Sequence, residues 1–278
     1  MTDSVVFWYG CNVLRHGDII HSAIEVLRAA GIEPTPVGGP GYCCGSPKDA
    51  NLKAAEGMAV RTVKKFNALP PQQLVTWCPS CHRHMGSFMT QYQDANFSAS
   101  HITQMLHARR SELAARMVRP LRRRVVLHQH SGFREVDVNP LVVDLLRIVP
   151  GIEVVPVAHA APSYMCSQLM PVAEAMKENT RRVCEVAREA EAHDVVTIFH
   201  SCQRLLCGLE ATEPFRVVNY ITVLAYGLGH DHEDEFKQWK NAGSPEAVEA
   251  LVGAERIERI GRQRFEQVLP DILRKPVR

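Results

Sequence analysis

Gly31-Ile32-Glu33-Pro34-Thr35-Pro36-Val37 recurs, with five of seven residues identical, as Gly151-Ile152-Glu153-Val154-Val155-Pro156-Val157. Each copy follows an amphipathic run, Ala23-Ile24-Glu25-Val26-Leu27-Arg28 in one case and Val143-Asp144-Leu145-Leu146-Arg147 in the other. A third pair keeps the same offset of about 120 residues, Thr76-Trp77-Cys78-Pro79-Ser80-Cys81-His82-Arg83 answering Thr197-Ile198-Phe199-His200-Ser201-Cys202-Gln203-Arg204. Three separate matches at one offset mark a duplicated module. Each copy reads as a strand (Val5–Tyr9 or Arg124–Leu127), a helix with apolar residues at i, i+3 and i+4, and a second strand (Ile32–Val37 or Ile152–Val157). A loop rich in Gly, Pro or Cys leads to a long helix (Asn51–Phe66 or Val172–Ala190), a third strand (Leu74–Trp77 or Val195–Phe199) and a helix after Cys81 or Cys202. Strands alternating with helices predict an α/β fold of two tandem pseudo-symmetric modules, each a small, mainly parallel sheet with flanking helices. In such sheets the functional loops gather at the carboxyl ends of the strands.

The expected division is an N-terminal module at 1–118, a second module at 119–230 and a helical tail at 231–278. The boundary falls at Met117–Pro120, after the helical stretch His101–Met117. In the tail, His230-Asp231-His232-Glu233-Asp234-Glu235 reads as a solvated face, at most a weak metal binder, ahead of the helical run Pro245–Val268.

With 278 residues, 46% apolar and 22% charged, the chain is an ordinary globular one, long enough to bury about three quarters of its surface unaided. A net charge of +2 lacks the concentrated basic surface that a phosphate backbone demands, so no nucleic-acid partner is expected. The densest positive cluster, Arg119, Arg122, Arg123 and Arg124, reads as a solvated linker, or else as a dock for an acidic partner. Met1-Thr2-Asp3-Ser4 runs straight into a strand-like segment without a leader pattern. The longest apolar stretch, Val217–Leu228, is interrupted by Asn219 and is shorter than the roughly 20 residues a membrane span requires. It reads as a core segment, and the chain as cytoplasmic. Nine cysteines, an odd number, then point to metal or redox chemistry rather than to a disulfide framework.

Five of them follow the three strands of the first copy: Cys11 the first, Cys43-Cys44-Gly45 the second, Cys78 and Cys81 the third. Thiolates are soft ligands suited to zinc and to iron–sulfur clusters. Five exceed the four that a structural zinc site takes, and an adjacent pair is unlike the spaced ligands of zinc motifs. The set favours an opened or bridged cluster, with a plain zinc site as the simpler alternative.

This pattern resembles the cysteine-rich CCG domain of heterodisulfide reductase and its relatives, which carry two such motifs in tandem; the resemblance spans roughly residues 5 to 230. It implies that Cys11, Cys43, Cys44, Cys78 and Cys81 hold one noncubane [4Fe-4S] cluster, at which an oxidoreductase subunit exchanges electrons with a disulfide or thiol substrate. No Gly-x-Gly-x-x-Gly follows a strand and no Cys-x2-Cys-x2-Cys run is present, so flavin-containing and ferredoxin-like subunits of a complex are the implied partners. Similar domains occur in iron–sulfur subunits of lactate or glycolate oxidation and of succinate:quinone systems, which makes electron transfer with quinone the alternative. A non-enzymatic zinc or scaffold protein is the second alternative.

The second copy departs from the pattern. Met165-Cys166-Ser167 stands where Cys43-Cys44-Gly45 would be, Cys202 answers Cys81, and the counterpart of Cys11 falls near His130, Ser131 or Gly132. Cys166 and Cys202 with two of His128, His130 and His200 would make a Cys2His2 set suited to zinc; alternatively, the old cavity is filled by side chains. The same three histidines are candidate proton donors for chemistry at the first site. Cys184 and Cys207 read as core residues.

Overall fold

Val5-Val6-Phe7-Trp8 has no polar alternation, as befits a parallel strand covered on both faces. It forms the middle of β1 (Asp3–Gly10), and all four side chains are buried. The computed structural model describes residues 3–45, 51–70 and 73–277; Met1, Thr2 and Arg278, at the outer ends of the expected spans, lie outside it. β2 (Ile32–Gly38), β3 (Gln73–Thr76) and β4 (Ser98–His101) complete a parallel sheet in the order β2-β1-β3-β4. A second sheet is built from β5 (Arg123–His130), β6 (Ile152–Val155), β7 (Ala160–Ala161), β8 (Asp194–Thr197) and β9 (Arg216–Asn219). Its order is β6-β5-β8-β9, again parallel, with β7 beside the end of β5. Val6 sits opposite Leu74 in the first sheet and Val126 opposite Val195 in the second, so the sequence repeat is also a repeat of register.

The first sheet carries α1 (Gly17–Ala29), α2 (Leu52–Asn67) and α3 (Pro79–His84). α3 passes through a π turn into α4 (Thr90–Tyr92), and α5 (Ile102–Ala108) and α6 (Arg110–Ala114) follow β4. The second carries α7 (Val138–Arg147), α8 (Ala173–Glu189), α9 (His200–Leu206) and α10 (Tyr220–Gly227). α1 packs on α10 and α5 on α7, a reciprocal exchange between corresponding helices of the two halves. Across this seam Trp77 stacks on Tyr220, centroids 5.9 Å apart and planes 3° from parallel, and its Nε1 donates to His200 Nδ1 at 3.3 Å. The seam therefore brings the strand-end loops of one sheet against those of the other.

Several local expectations shift, each for a physical reason. The stretch His101–Met117 is two helices, α5 and α6, parted at Arg109, and β4 precedes them; His101 ends the strand and caps α5 through its ring. Val217–Leu228 divides at Asn219, whose side chain accepts from Ile221 N at 3.1 Å, so the residue that interrupts the apolar run is the cap that starts α10. The helices around Cys81 and Cys202 begin earlier, at Pro79 and His200, which puts each cysteine in a first turn. Pro245–Val268 is not one helix: it is α12 (Pro245–Val252), α13 (Ala254–Ile260) and the start of α14 (Arg262–Ile272), behind α11 (Glu235–Asn241). Gly253 and Gly261, at φ +84° and +89°, make the breaks. The tail buries Val248, Val252, Ile257, Phe265 and Ile272. Three arginines of the basic cluster find partners within the chain: Arg119 with Asp231, Arg123 with Asp194, and Arg124 with Glu153. Among the described residues no helix is long and apolar enough to cross a membrane.

Candidate metal centres

β1 ends at Gly10, whose φ of +83° suits only glycine; a Cβ there would lie 3.3 Å from Cys78 Cβ and 3.4 Å from Cys81 Sγ. The bare backbone thus lets Cys11 enter beside the third-strand loop. The second loop is pinned from both sides. Trp8 Nε1 donates to Tyr42 O at 2.9 Å, Thr62 Oγ1 donates to Cys43 O at 2.9 Å, and His84 Nδ1 lies 2.8 Å from Cys44 O. Gly45 follows at φ +86°, where a Cβ would press to 3.1 Å from Ala55 O; this is the physical content of the Cys-Cys-Gly sequence. Cys78 precedes Pro79, which starts α3 with its fixed φ, and Cys81 sits in the first turn.

These loops bring all five thiols together. The sulfurs form a row, Cys11 to Cys43 at 3.9 Å, then Cys44, Cys81 and Cys78 by successive side-chain hydrogen bonds. Cys11 is pushed up from the usual thiol range because it donates to Cys43, and Cys43 is pulled down because it accepts from Cys11 and Cys44. Cys81 is raised by its bonds to Cys44 and Cys78. Cys78 is lowered by the Cys81 thiol, against burial, with further help from the Cys81 and Ser80 backbone N–H groups. Cys43 and Cys78 are the ready thiolates, the form that binds metal. A cavity of about 360 Å3 opens on Cys11, Cys44, Cys78 and Cys81. Its far wall comes from the second module, in Tyr164, Met165, Gln168 and His200.

In the second module His128 and His130 lie two apart at the end of β5 and so share a face of the strand. His128 Nε2 is 3.1 Å from Cys166 Sγ, and His130 Nε2 is 3.0 Å from Cys202 Sγ. One donor atom from each of the four lies within 4.8 Å of every other, and all four residues are buried. His130 Nδ1 is held by Ser163 O at 3.1 Å, the kind of carbonyl bond that orients a metal-binding imidazole. Burial first, then Cys202, pushes the Cys166 thiol well up. Cys202 goes the other way: burial opposes ionisation but is outweighed by the Cys166 hydrogen bond and by His130 and His128. A buried thiolate against two imidazoles is costly to leave without a cation. The same tight grouping of three or more donors recurs, among the described residues, at His16, Asp18 and Asp234 but not in the more open five-thiol row.

Of the three expected histidines, only His200 stands apart from this knot, on the wall of the thiol cavity. Burial holds it neutral, at about 3, and because Nδ1 accepts the Trp77 proton its own proton sits on Nε2. Cys184 and Cys207 are buried away from both centres, and Cys207 Sγ faces Arg204 O at 3.8 Å. Sequence reasoning did not find the Thr62 and His84 anchors or the covering loop 164–168, for which no motif exists. The spacing of His128 and His130 on a strand was a usable sign.

No curated protein and no solved structure matches the chain. Residues 5–86 match the family model of the cysteine-rich domain CCG, so the stretch that carries all five N-terminal thiols is a CCG domain.

Proposed function

We propose that the chain is an iron–sulfur redox subunit of the heterodisulfide-reductase-like type, in which Cys11, Cys43, Cys44, Cys78 and Cys81 hold one noncubane [4Fe-4S] cluster. The observation that carries this reading is the row of five sulfurs, two of them adjacent in sequence, facing a cavity of about 360 Å3. A single zinc ion takes four ligands in a tight tetrahedron, whereas a fifth donor and an open row suit a centre of several metal atoms. When bound, the cluster supplies the electrons that cleavage or formation of a disulfide requires.

The chain's own residues do the rest. Gly10 and Gly45 leave room for the thiols, and Thr62 and His84 fix the carbonyls of the Cys43-Cys44 loop. Tyr164, Met165 and Gln168 wall the cavity off, so the second module shapes the pocket of the first. His200 presents a neutral imidazole with its proton on Nε2, suited to hydrogen-bonding a sulfur that enters the cavity. His128 and His130 are engaged with Cys166 and Cys202, which narrows proton handling to His200 and makes those four residues a closed Cys2His2 zinc site. The same reading divides the chain into modules at 1–118 and 119–230 with a tail at 231–278. Flavin and ferredoxin-like subunits belong to the implied complex.

Electron paramagnetic resonance of the oxidised, anaerobically purified protein, with and without a panel of small thiols, tests the function. A thiol that reaches the cavity perturbs the signal, and His200→Ala alters that perturbation. A signal indifferent to every thiol, in a protein shown to contain the cluster, overturns the substrate assignment.

A further inference from the structure

Outside both sulfur centres, His16 poses an unexplained problem. It lies between β1 and α1 with 1% of its surface exposed, its ring edge-on to Phe236 at 5.0 Å, and neither ring nitrogen makes a hydrogen bond. Nδ1 is 3.9 Å from Asp18 Oδ1 and 3.8 Å from Asp234 Oδ1, beyond hydrogen-bond reach of either. Asp18 is 5% exposed and its Oδ1 is likewise without a partner. Asp234 is held in place: Oδ1 accepts from Lys237 N at 3.0 Å and Oδ2 from Gln203 Nε2 at 2.8 Å. Three ligand atoms, one from each residue, fall within 4.8 Å of one another.

Two carboxylates and an imidazole are thus buried together at a separation too long for hydrogen bonds and short enough to share an ion. The nearest ammonium, Lys237 Nζ, is committed to Glu210 Oε1 and Val217 O, both at 3.0 Å. Burial, then the charge of Asp234, raises the Asp18 carboxyl to about 8, which is the strain expected of neighbouring acids with no cation between them. Asp18 and Asp234 also line a cavity of about 560 Å3, which leaves room for water on the open side of a three-ligand site.

We propose that His16, Asp18 and Asp234 bind one divalent transition-metal cation through nitrogen and oxygen alone. One imidazole and two carboxylates suit manganese, iron or zinc rather than the soft metals that thiolates select. The ligands come from the loop after β1, the first turn of α1 and the segment before α11, so the cation ties the tail to the N-terminal module. This inference is independent of what occupies the thiol centres.

Titration of the full chain with manganese(II), followed by loss of the free-ion signal in room-temperature paramagnetic resonance, tests it. The wild type takes up one saturable equivalent, and His16→Ala and Asp18→Asn each lose it. Cys81→Ser and Cys166→Ser keep it, which separates this site from both sulfur centres. Gln203→Ala, which frees the Asp234 carboxylate, weakens uptake about tenfold. Asp18→Asn removes one of two facing acids, so without manganese it melts no lower than the wild type, and only the wild type gains melting temperature when manganese is added. No uptake by the wild type, or uptake retained in both His16→Ala and Asp18→Asn, overturns the proposal.

Discussion

Replacing Gly10 by alanine tests how the thiol loops are held. Two costs act there. A side chain at φ +83° enters the left-handed region, at about 1–2 kcal/mol, partly offset by the roughly 0.4–1 kcal/mol that alanine gains by restricting the unfolded chain. The new methyl also meets Cys78 Cβ at 3.3 Å and Cys81 Sγ at 3.4 Å, so both cysteines must move by a few tenths of an ångström. Overpacking of this kind costs about 1–3 kcal/mol. Gly31 provides the control: its φ is +77°, but nothing lies within 4 Å of its added Cβ, so Gly31→Ala carries only the backbone cost. Gly31→Ala should lose about 1 kcal/mol or less and keep its metal. Gly10→Ala should lose about 2–4 kcal/mol, a fall in Tm of roughly 6–12 °C at about 3 °C per kcal/mol, and also lose iron. Anaerobic thermal unfolding with iron analysis reads both. If the two variants melt together and retain equal iron, the close approach of Gly10 to Cys78 and Cys81 has no structural role and the reasoning is wrong.

His101 is buried, with Nε2 3.1 Å from Trp77 O, and burial, aided by the charge of His82, lowers it to about 3. The unfolded chain protonates this ring below an ordinary pKa near 6.5 while the fold holds it neutral, so its contribution is complete above that pH. It is lost as pH falls from 6.5 towards 3, at up to about 1.4 kcal/mol per unit. His101→Asn, the residue at the matching position 219, keeps a helix cap and should flatten the acid limb of a stability–pH curve by one proton; parallel curves for variant and wild type contradict this. Cys166→Ser or His128→Gln should remove one zinc per chain and leave iron untouched, as metal analysis of each variant would show. Cys184→Ala and Cys207→Ala should keep the full complement of both metals, and iron loss in either would mean that the ligand set is misassigned.

The parallel sheets were legible because their central strands are continuous apolar runs and because the Gly-Ile-Glu segment repeats. The fourth strands were not. Ser98-Ala99-Ser100-His101 is polar and lies at a sheet edge, where burial leaves no alternating pattern to read. The thiol set was visible from residue identity alone, but its covering loop is a product of how α1 meets α10 and α5 meets α7, which no local pattern reports. His200 stands apart from Cys166 and Cys202 because it opens α9, whereas His128 and His130 project from one strand face. Asp234 looked like part of a solvated acidic run; its role as cap of α11 draws it inward toward Gln203 and His16.

The most direct measurement is iron and acid-labile sulfide per chain, with Mössbauer spectroscopy, on anaerobically purified wild type and on five single Cys→Ser variants at 11, 43, 44, 78 and 81. The account predicts about four of each in the wild type, in a spectrum that differs from that of a cubane, and loss or conversion of the centre in all five variants. Zinc in place of iron, or a cluster that survives any one of the five changes intact, contradicts it.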